Sequence, residues 1–322
     1  MQDPFGRRVR YLRLSLTSAC AMRCTYCRPH GWKHLNRNLE LTAAEIAQLV
    51  GHLVHHQGVR KVRLTGGEPT HRADIVAIVQ SIASMGGLAD LAMTTNALTL
   101  DRLAAPLAQA GLRRINVSLD SVDPRRFEQI TGVDGLHRVV AGLHAARRAG
   151  LSPIKLNTVV VRGQNDHALA DLVAFAADHR CAIRFIELMP MGPLAAHWKQ
   201  RYVAQAEMRD RLADIVNTWV EQPRDSGSAR NFNVTLNDRR TAEVGFISAM
   251  SCPFCDRCDR IRIGCTGELY PCLLDKPAGS LLPALRPTFD PDQLDRLLTA
   301  SLIHKPAEHP ATGAGVMTAI GG

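Results

Sequence analysis

Long apolar runs are missing from this 322-residue chain. No stretch approaches the roughly 18 uninterrupted apolar residues of a membrane span, and the first ten residues hold no apolar core of signal-peptide length. Aromatic residues are scarce, at 5%. The basic residues form no run interleaved with aromatic platforms, which argues against a zinc-stabilised nucleic-acid-binding protein. Internal repeats and low-complexity tracts are also absent. An even cysteine count is lacking too: nine cysteines argue against a closed disulfide framework. These absences predict a soluble protein of the reducing cytoplasm, without membrane or nucleic-acid partners. In that compartment clustered cysteines hold metal or carry redox chemistry more often than they form disulfides.

What is present is material for a core, with 46% hydrophobic residues, and a net charge of +9 that calls for an anionic partner. Leu12, Leu14 and Leu16 alternate as in a strand, and 59–65, 91–95, 115–119, 154–161 and 183–188 supply five more β-type runs. Amphipathic segments lie between them. Thr42 and Glu45 form a capping-box pair ahead of Ile46, Leu49, Val50 and Leu53 at helical spacing. Further helical patterns cover 73–85, 102–110, 136–149 and 168–179. Six strands with helical crossovers imply an α/β fold with a parallel sheet, two units short of a full eight-stranded barrel.

After Met189 the pattern breaks at Pro190, Gly192 and Pro193. A helix-like stretch to about Trp219, a loop over 221–230, and short strands over 233–236, 242–247 and Arg260–Ile263 read as a smaller mixed extension. The expected division is 1–190 and 191–322.

Cys20, Cys24 and Cys27 follow the first strand, three thiols within eight residues. Structural zinc wants four ligands; His30 and His34 are near but not at regular spacing. Three cysteines suit a 4Fe-4S cluster whose fourth iron stays open for a small molecule. A second group is Cys255, Cys258 and Cys272, and a zinc site that also uses Cys252 is an alternative. Cys181 reads as a core thiol, and Cys265 has no assigned role. Arg260 and Arg262 alternate with Ile261 and Ile263, so on a strand both face one side. Arg13 alternates with leucines, and Arg63 precedes Thr65-Gly66-Gly67-Glu68-Pro69. Each arginine alone is most often a solvated surface group. Guanidiniums converging beside a metal cluster suit a polyphosphate. The glycines let backbone approach a ligand, and Glu68 can accept from a ligand ammonium.

The Cys20-x-x-x-Cys24-x-x-Cys27 spacing, with Tyr26 before the last cysteine, resembles the signature of radical S-adenosylmethionine enzymes, and Gly66-Gly67-Glu68-Pro69 resembles their methionine-amine motif. The second triad, Arg260-Ile-Arg262 and the terminal Gly321-Gly322 are similar to the branch that cyclises GTP at the start of molybdenum cofactor biosynthesis. The resemblance covers nearly the whole chain. It implies an incomplete (β/α)6 TIM-like barrel with a C-terminal extension, and two 4Fe-4S clusters on Cys20, Cys24 and Cys27 and on Cys255, Cys258 and Cys272. It also implies a 5′-deoxyadenosyl radical that takes hydrogen from C3′ of GTP, whose C3′ radical closes onto C8. Arg13, Arg63, Thr94, Lys155, Arg260 and Arg262 would contact GTP. Tyr26, Gly66, Gly67, Glu68, Ser118 and Met189 would line the S-adenosylmethionine site. Arg260, Arg262, Gly321 and Gly322 would act in catalysis. A flavodoxin- or ferredoxin-like electron donor and a downstream cyclic pyranopterin monophosphate synthase are implied partners, and the chain would be a monomer or homodimer. The alternative is a related radical enzyme acting on another nucleotide or a peptide. The chain departs from the family pattern at Ser18-Ala19-Cys20-Ala21, at Thr70-His71, at Asp259 in place of Asn, and at Ala97 in place of Gly.

Overall fold

The computed structural model describes residues 1–28, 31, 35–224, 227–313 and 317–320. Six β/α units emerge from the alternating pattern. Strands β1 (Tyr11–Ser15), β2 (Lys61–Thr65), β3 (Asp90–Thr95), β4 (Arg114–Ser118), β5 (Ile154–Val160) and β6 (Ala182–Glu187) lie in sequence order, each parallel to the next. Helices α1 (Ala43–His55), α2 (Ile75–Ala83), α3 (Leu100–Gln109), α4 (Pro124–Thr131), α5 (Leu136–Arg148) and α6 (Leu169–Asp178) connect them. The capping box forms as expected. Thr42 Oγ1 accepts from the Glu45 N–H at 3.2 Å, and the Glu45 carboxylate accepts from the Thr42 N–H at 2.7 Å.

Alternate strand residues face the helices and make the core. Leu12, Leu14, Val62, Leu64, Ile115, Val117 and Ile183 are completely buried, each contributing about 1.5–3 kcal/mol by leaving water. The residues between them, among them Arg13, Arg63, Asn116 and Ser118, face the opposite side, a consequence of the two-residue period of a strand. That side is the interior of the barrel.

The extension builds no sheet of its own. Strand β9 (Thr241–Ile247) pairs parallel with β6, and β10 (Arg260–Ile263) pairs parallel with β1. Antiparallel β8 (Arg230–Leu236) and β7 (Val216–Glu221) finish one flank, and β11 (Glu268–Tyr270) and β12 (Gly279–Ser280) finish the other, giving one twelve-stranded sheet. The short strands expected over 233–236, 242–247 and Arg260–Ile263 are present, and they join the barrel's sheet. Edge pairing is decided by long-range closure, which leaves no local mark.

Two local expectations also change. Trp219 lies on β7, not in a helix; its ring packs edge-on to Phe232 at 5.5 Å and is capped by the Arg209 guanidinium at 4.8 Å. Val216, Thr218, Trp219 and Val220 favour a pleated surface over a helix. Helix α4, not foreseen, starts at Asp123, whose carboxylate accepts from the Arg126 N–H, has Pro124 in its first turn, and ends at left-handed Gly132. Ala97 has φ of +62° and is buried, which explains why glycine suits this place in the resembling family. Among the described residues no helix is long and apolar enough to cross a membrane.

Candidate active site

The strand register stacks the inward-facing side chains in rows. One row runs Arg262, Arg13, Arg63, Ala92, Arg114 across β10, β1, β2, β3 and β4. Below it, towards the strand starts, Arg260, Tyr11, Lys61 and Asp90 are paired. Above it come Thr94, Asn116 and Lys155, then Ser118, Asn157 and Arg184. These rows enclose a cavity of about 550 Å³, within the roughly 300–1,000 Å³ of small-molecule sites.

Both cysteine triads line this cavity, and the strand directions put them at opposite mouths. Cys20, Cys24 and Cys27 follow β1 and so lie at the C-terminal ends of the parallel strands. Cys258 precedes β10, and Cys272 follows antiparallel β11, so the second triad sits at the strands' N-terminal ends. Ligands of parallel α/β sheets ordinarily gather at the C-terminal face; here the lumen runs through from one face to the other.

The first triad's loop is fixed by the Gly66-Gly67-Glu68 turn. The Gly67 N–H donates to Thr17 O and the Glu68 N–H to Ala19 O, both at 2.7 Å. A Cβ on Gly67 would fall 2.4 Å from Ala19 O and 2.6 Å from Ser18 O. The two glycines therefore serve the approach of this backbone as well as that of a ligand. Glu68 is buried, and its carboxylate accepts from Thr70 N–H and Oγ1, Thr95 Oγ1 and the Asn96 N–H. Three of those donors crowd Oε1, which leaves room on Oε2 for a ligand ammonium. Thr70, one of the departures from the family pattern, is thus part of the staple. We expect Gly67→Ala to push the Cys20 loop out of place, lowering stability by about 1–3 kcal/mol and costing the first triad its iron. Urea denaturation and iron content measure the two effects.

Tyr26 is buried, and its hydroxyl donates to Asp120 at 2.6 Å; the Asp120 carboxylate also accepts from the Val159 N–H and is pushed up to about 6 by burial. Burial pushes the Cys20 thiol up to about 11, with Glu68 adding to it, and the Cys27 thiol to about 12, with Cys20 adding to it. Cys24 is raised by burial, then by Asp120 and Cys27. Three crowded, desolvated thiols ionise only with a cation among them, which is what iron supplies. At the second triad, burial opposes ionisation of Cys258, but Lys305 and Arg260 outweigh it. Among the described residues no three cysteine, histidine or acidic side chains converge closely enough to share one metal ion, whereas a cubane takes each thiolate on a different iron. Cys252 is exposed and lines a small neighbouring depression with Arg230 and Phe254; it does not line the cavity that the second triad faces. Cys181 and Cys265 are buried. His30 and His34 lie outside the described residues.

The guanidinium row is electrostatically costly. Arg13 is held far below its usual value by burial and by Arg262. Arg262 is pulled down to about 10 by burial and then by Arg260, and burial lowers Arg63. Arg63 sits over the Tyr11 ring at 5.7 Å and Arg260 over the Phe254 ring at 4.9 Å. Thr94 Oγ1, Asn116 Oδ1 and Asn157 Oδ1 are buried in the lining with no hydrogen-bond partner among the described residues. Polar atoms left so are suited to a ligand.

Of the residues singled out from sequence, both triads, Tyr26, Gly66, Gly67, Glu68, Ser118 and Met189, and Arg13, Arg63, Thr94, Lys155, Arg260 and Arg262 all line this one cavity. Gly321 and Gly322 lie outside the described residues; Met317, shortly before them, lines the cavity, and Ile320 packs with Met191, Tyr270 and Leu274. Sequence reasoning did not single out Lys61, Arg114, Arg184 or Asn157 as site residues. Their inward position follows from the same alternation that paired Arg260 with Arg262. Glu187 was also missed. It is buried at the end of β6, and its carboxylate accepts from Tyr202, from the Gln205 N–H and from the Met250 and Ser251 N–H groups, tying the extension to the barrel.

A parallel β/α partial barrel with a three-cysteine loop after β1 and a glycine turn bonded to that loop defines the radical S-adenosylmethionine enzymes. Residues 14–176 match the model of the Radical SAM superfamily, and residues 181–311 match Molybdenum Cofactor Synthesis C. The GTP 3′,8-cyclase of Pseudomonas savastanoi pv. phaseolicola is 39% identical over 97% of this chain and 94% of its own length; that of Pseudomonas putida strain GB-1 is 41% identical over 95% and 92%. The chain belongs to the GTP 3′,8-cyclase family. Its fold is shared by Streptococcus suis SuiB bound to precursor peptide SuiA, with a TM-score of 0.62 at 14% identity over 96% of this chain and 76% of that one.

Proposed function

We infer that this chain converts GTP to (8S)-3′,8-cyclo-7,8-dihydroguanosine 5′-triphosphate, the first step of molybdenum cofactor biosynthesis. One observation carries the reading: the adjacent buried guanidiniums of Arg262, Arg13 and Arg63, on strands about 4.8 Å apart, lie between two cysteine triads. A triphosphate relieves their repulsion through bidentate, charge-assisted hydrogen bonds. A peptide substrate offers no reason to bring them together.

The thiol sets fit two 4Fe-4S clusters, one on Cys20, Cys24 and Cys27 and one on Cys255, Cys258 and Cys272. When bound, the first cluster and S-adenosylmethionine supply the 5′-deoxyadenosyl radical that removes hydrogen from C3′ of GTP. The chain's own part is positioning, which a reactive radical needs for selectivity. Arg13, Arg63, Arg260 and Arg262 hold the phosphates, and Thr94 and Lys155 contact the nucleotide above them. Tyr26, Gly66, Gly67, Glu68, Ser118 and Met189 hold S-adenosylmethionine at the other mouth. Apolar Ile186, Leu188 and Met191 in the lining keep water from the radical's path. Gly321 and Gly322 are required for cyclisation.

The same reading brings a flavodoxin- or ferredoxin-like one-electron donor, a cyclic pyranopterin monophosphate synthase to consume the product, and a cytoplasmic location. It treats 1–190 and 191–322 as two functional segments, one for the radical and one for the second cluster. Anaerobic turnover of the reconstituted protein with GTP, S-adenosylmethionine and dithionite tests it. Cyclised GTP and 5′-deoxyadenosine in equal amounts are expected; 5′-deoxyadenosine without the cyclised product refutes the substrate. Deleting Gly321-Gly322 is expected to leave the fold intact and stop cyclisation, and full activity of that truncation removes the pair from the site.

A further inference from the structure

Lys305 lies just beyond the helix Pro291–Leu302 and is buried, with 3% of its surface exposed. Its ammonium donates to Arg260 O at 2.8 Å and to Pro271 O at 2.9 Å, and lies 3.5 Å from Cys258 Sγ. An ammonium has three donors, and these contacts use all three. No carboxylate is among its partners in the described residues. Arg7, close by, is different: its guanidinium bonds to Cys255 O and Pro306 O, and its charge is met by Asp3 at 2.6 Å.

A buried cation with no acid beside it needs an anion from elsewhere. The partners of Lys305 say which one. Cys258 is one thiol of the second triad, Pro271 is the residue before Cys272, and Arg260 begins β10 directly after Cys258-Asp259. A single ammonium thus ties both arms of the triad and places its positive charge against a ligand sulfur. We propose that Lys305 is the fixed counter-charge and positioning residue of the second cluster, holding Cys258 and Cys272 in place and making that cluster easier to reduce. Cluster potentials follow net charge and hydrogen bonds to sulfur. The proposal rests on the two-cluster reading above.

The test uses the full chain with Cys20, Cys24 and Cys27 replaced by alanine, so that only the second triad can hold iron. The reconstituted control is expected to carry about four irons and to show one midpoint potential by spectroelectrochemistry. In this background Lys305→Met lowers the potential, or drops iron below half of the control, and Lys305→Arg recovers either loss by restoring the charge. A Lys305→Met protein with full iron and an unmoved potential overturns the proposal, as does a loss that Lys305→Arg fails to recover. A control that binds no iron overturns the cluster reading and takes the proposal with it.

Discussion

Replacing Arg262 with alanine is expected to lower kcat/KM for GTP by about 10²–10³-fold while both triads still take up iron. Truncating one side of a buried charge-assisted contact costs roughly 2–5 kcal/mol, and each 1.36 kcal/mol is a factor of ten. Arg262 stands at the end of the row with Arg13 and Arg63, directly opposite Arg13 in the register. The same substitution should make the ligand-free protein more stable. In the folded chain Arg262 is pulled down to about 10 by burial, then by Arg260. A base whose folded value lies below its unfolded one is destabilising while charged, because the unfolded chain binds its proton more firmly. That cost is full at neutral pH and is relieved as pH rises through about 10. Thermal denaturation without GTP should therefore show the variant above the parent, and GTP should raise the parent's midpoint far more than the variant's. A variant that is less stable without ligand and still strongly stabilised by GTP contradicts the phosphate role.

Cys24→Ala should abolish 5′-deoxyadenosine formation and cut iron from about eight to about four per chain. The Cys24 thiol is raised by burial, then by Asp120 and Cys27, and packs against the core, so removing its sulfur takes a ligand from the middle of the loop. The backbone around it is held independently: the Arg23 N–H donates to Thr131 O and the Thr25 N–H to Ile130 O. The fold survives, and the second triad keeps its iron. Anaerobic iron and sulfide analysis with chromatography of the nucleoside reads both effects. Continued 5′-deoxyadenosine production would remove the first triad from the radical step.

Motif spacing makes the cysteine triads and the glycine turn legible, because those residues act at fixed short separations. Two-residue alternation likewise places Arg260 and Arg262 on one face of a strand from the local pattern alone. It does not single out Lys61, Arg114 and Arg184, although each sits in the same phase as Arg13 or Asn116. Which face of a strand becomes the lumen depends on how the sheet curls, and that is a property of all the strands together. The two flanks of the sheet are hidden for a similar reason. Nothing local in Thr241–Ile247 says that it will lie beside β6, or in Arg260–Ile263 that it will lie beside β1. Helix α4 is another matter: Asp123, Pro124 and Gly132 are start and stop signals that its polar composition obscures. Two changes from the family pattern acquire a physical setting, Thr70 as a donor to Glu68 and Ala97 as a strained left-handed residue.

The eight parallel strands run from β10 to β9 without a pairing between those two in the described residues. The gap between them is spanned by 248–259, which descends from the top of β9 to the foot of β10, and by 305–313, which climbs back from Lys305 beside Arg260 to Gly313 on Pro190 O. His309 Nε2 donates to Ala249 O and stitches the two together. This flank of the barrel is therefore walled by two segments that come from distant parts of the sequence. A shift in either segment reaches the surroundings of the second triad, because Cys255, Cys258 and the Lys305 ammonium sit on that wall and not on a strand.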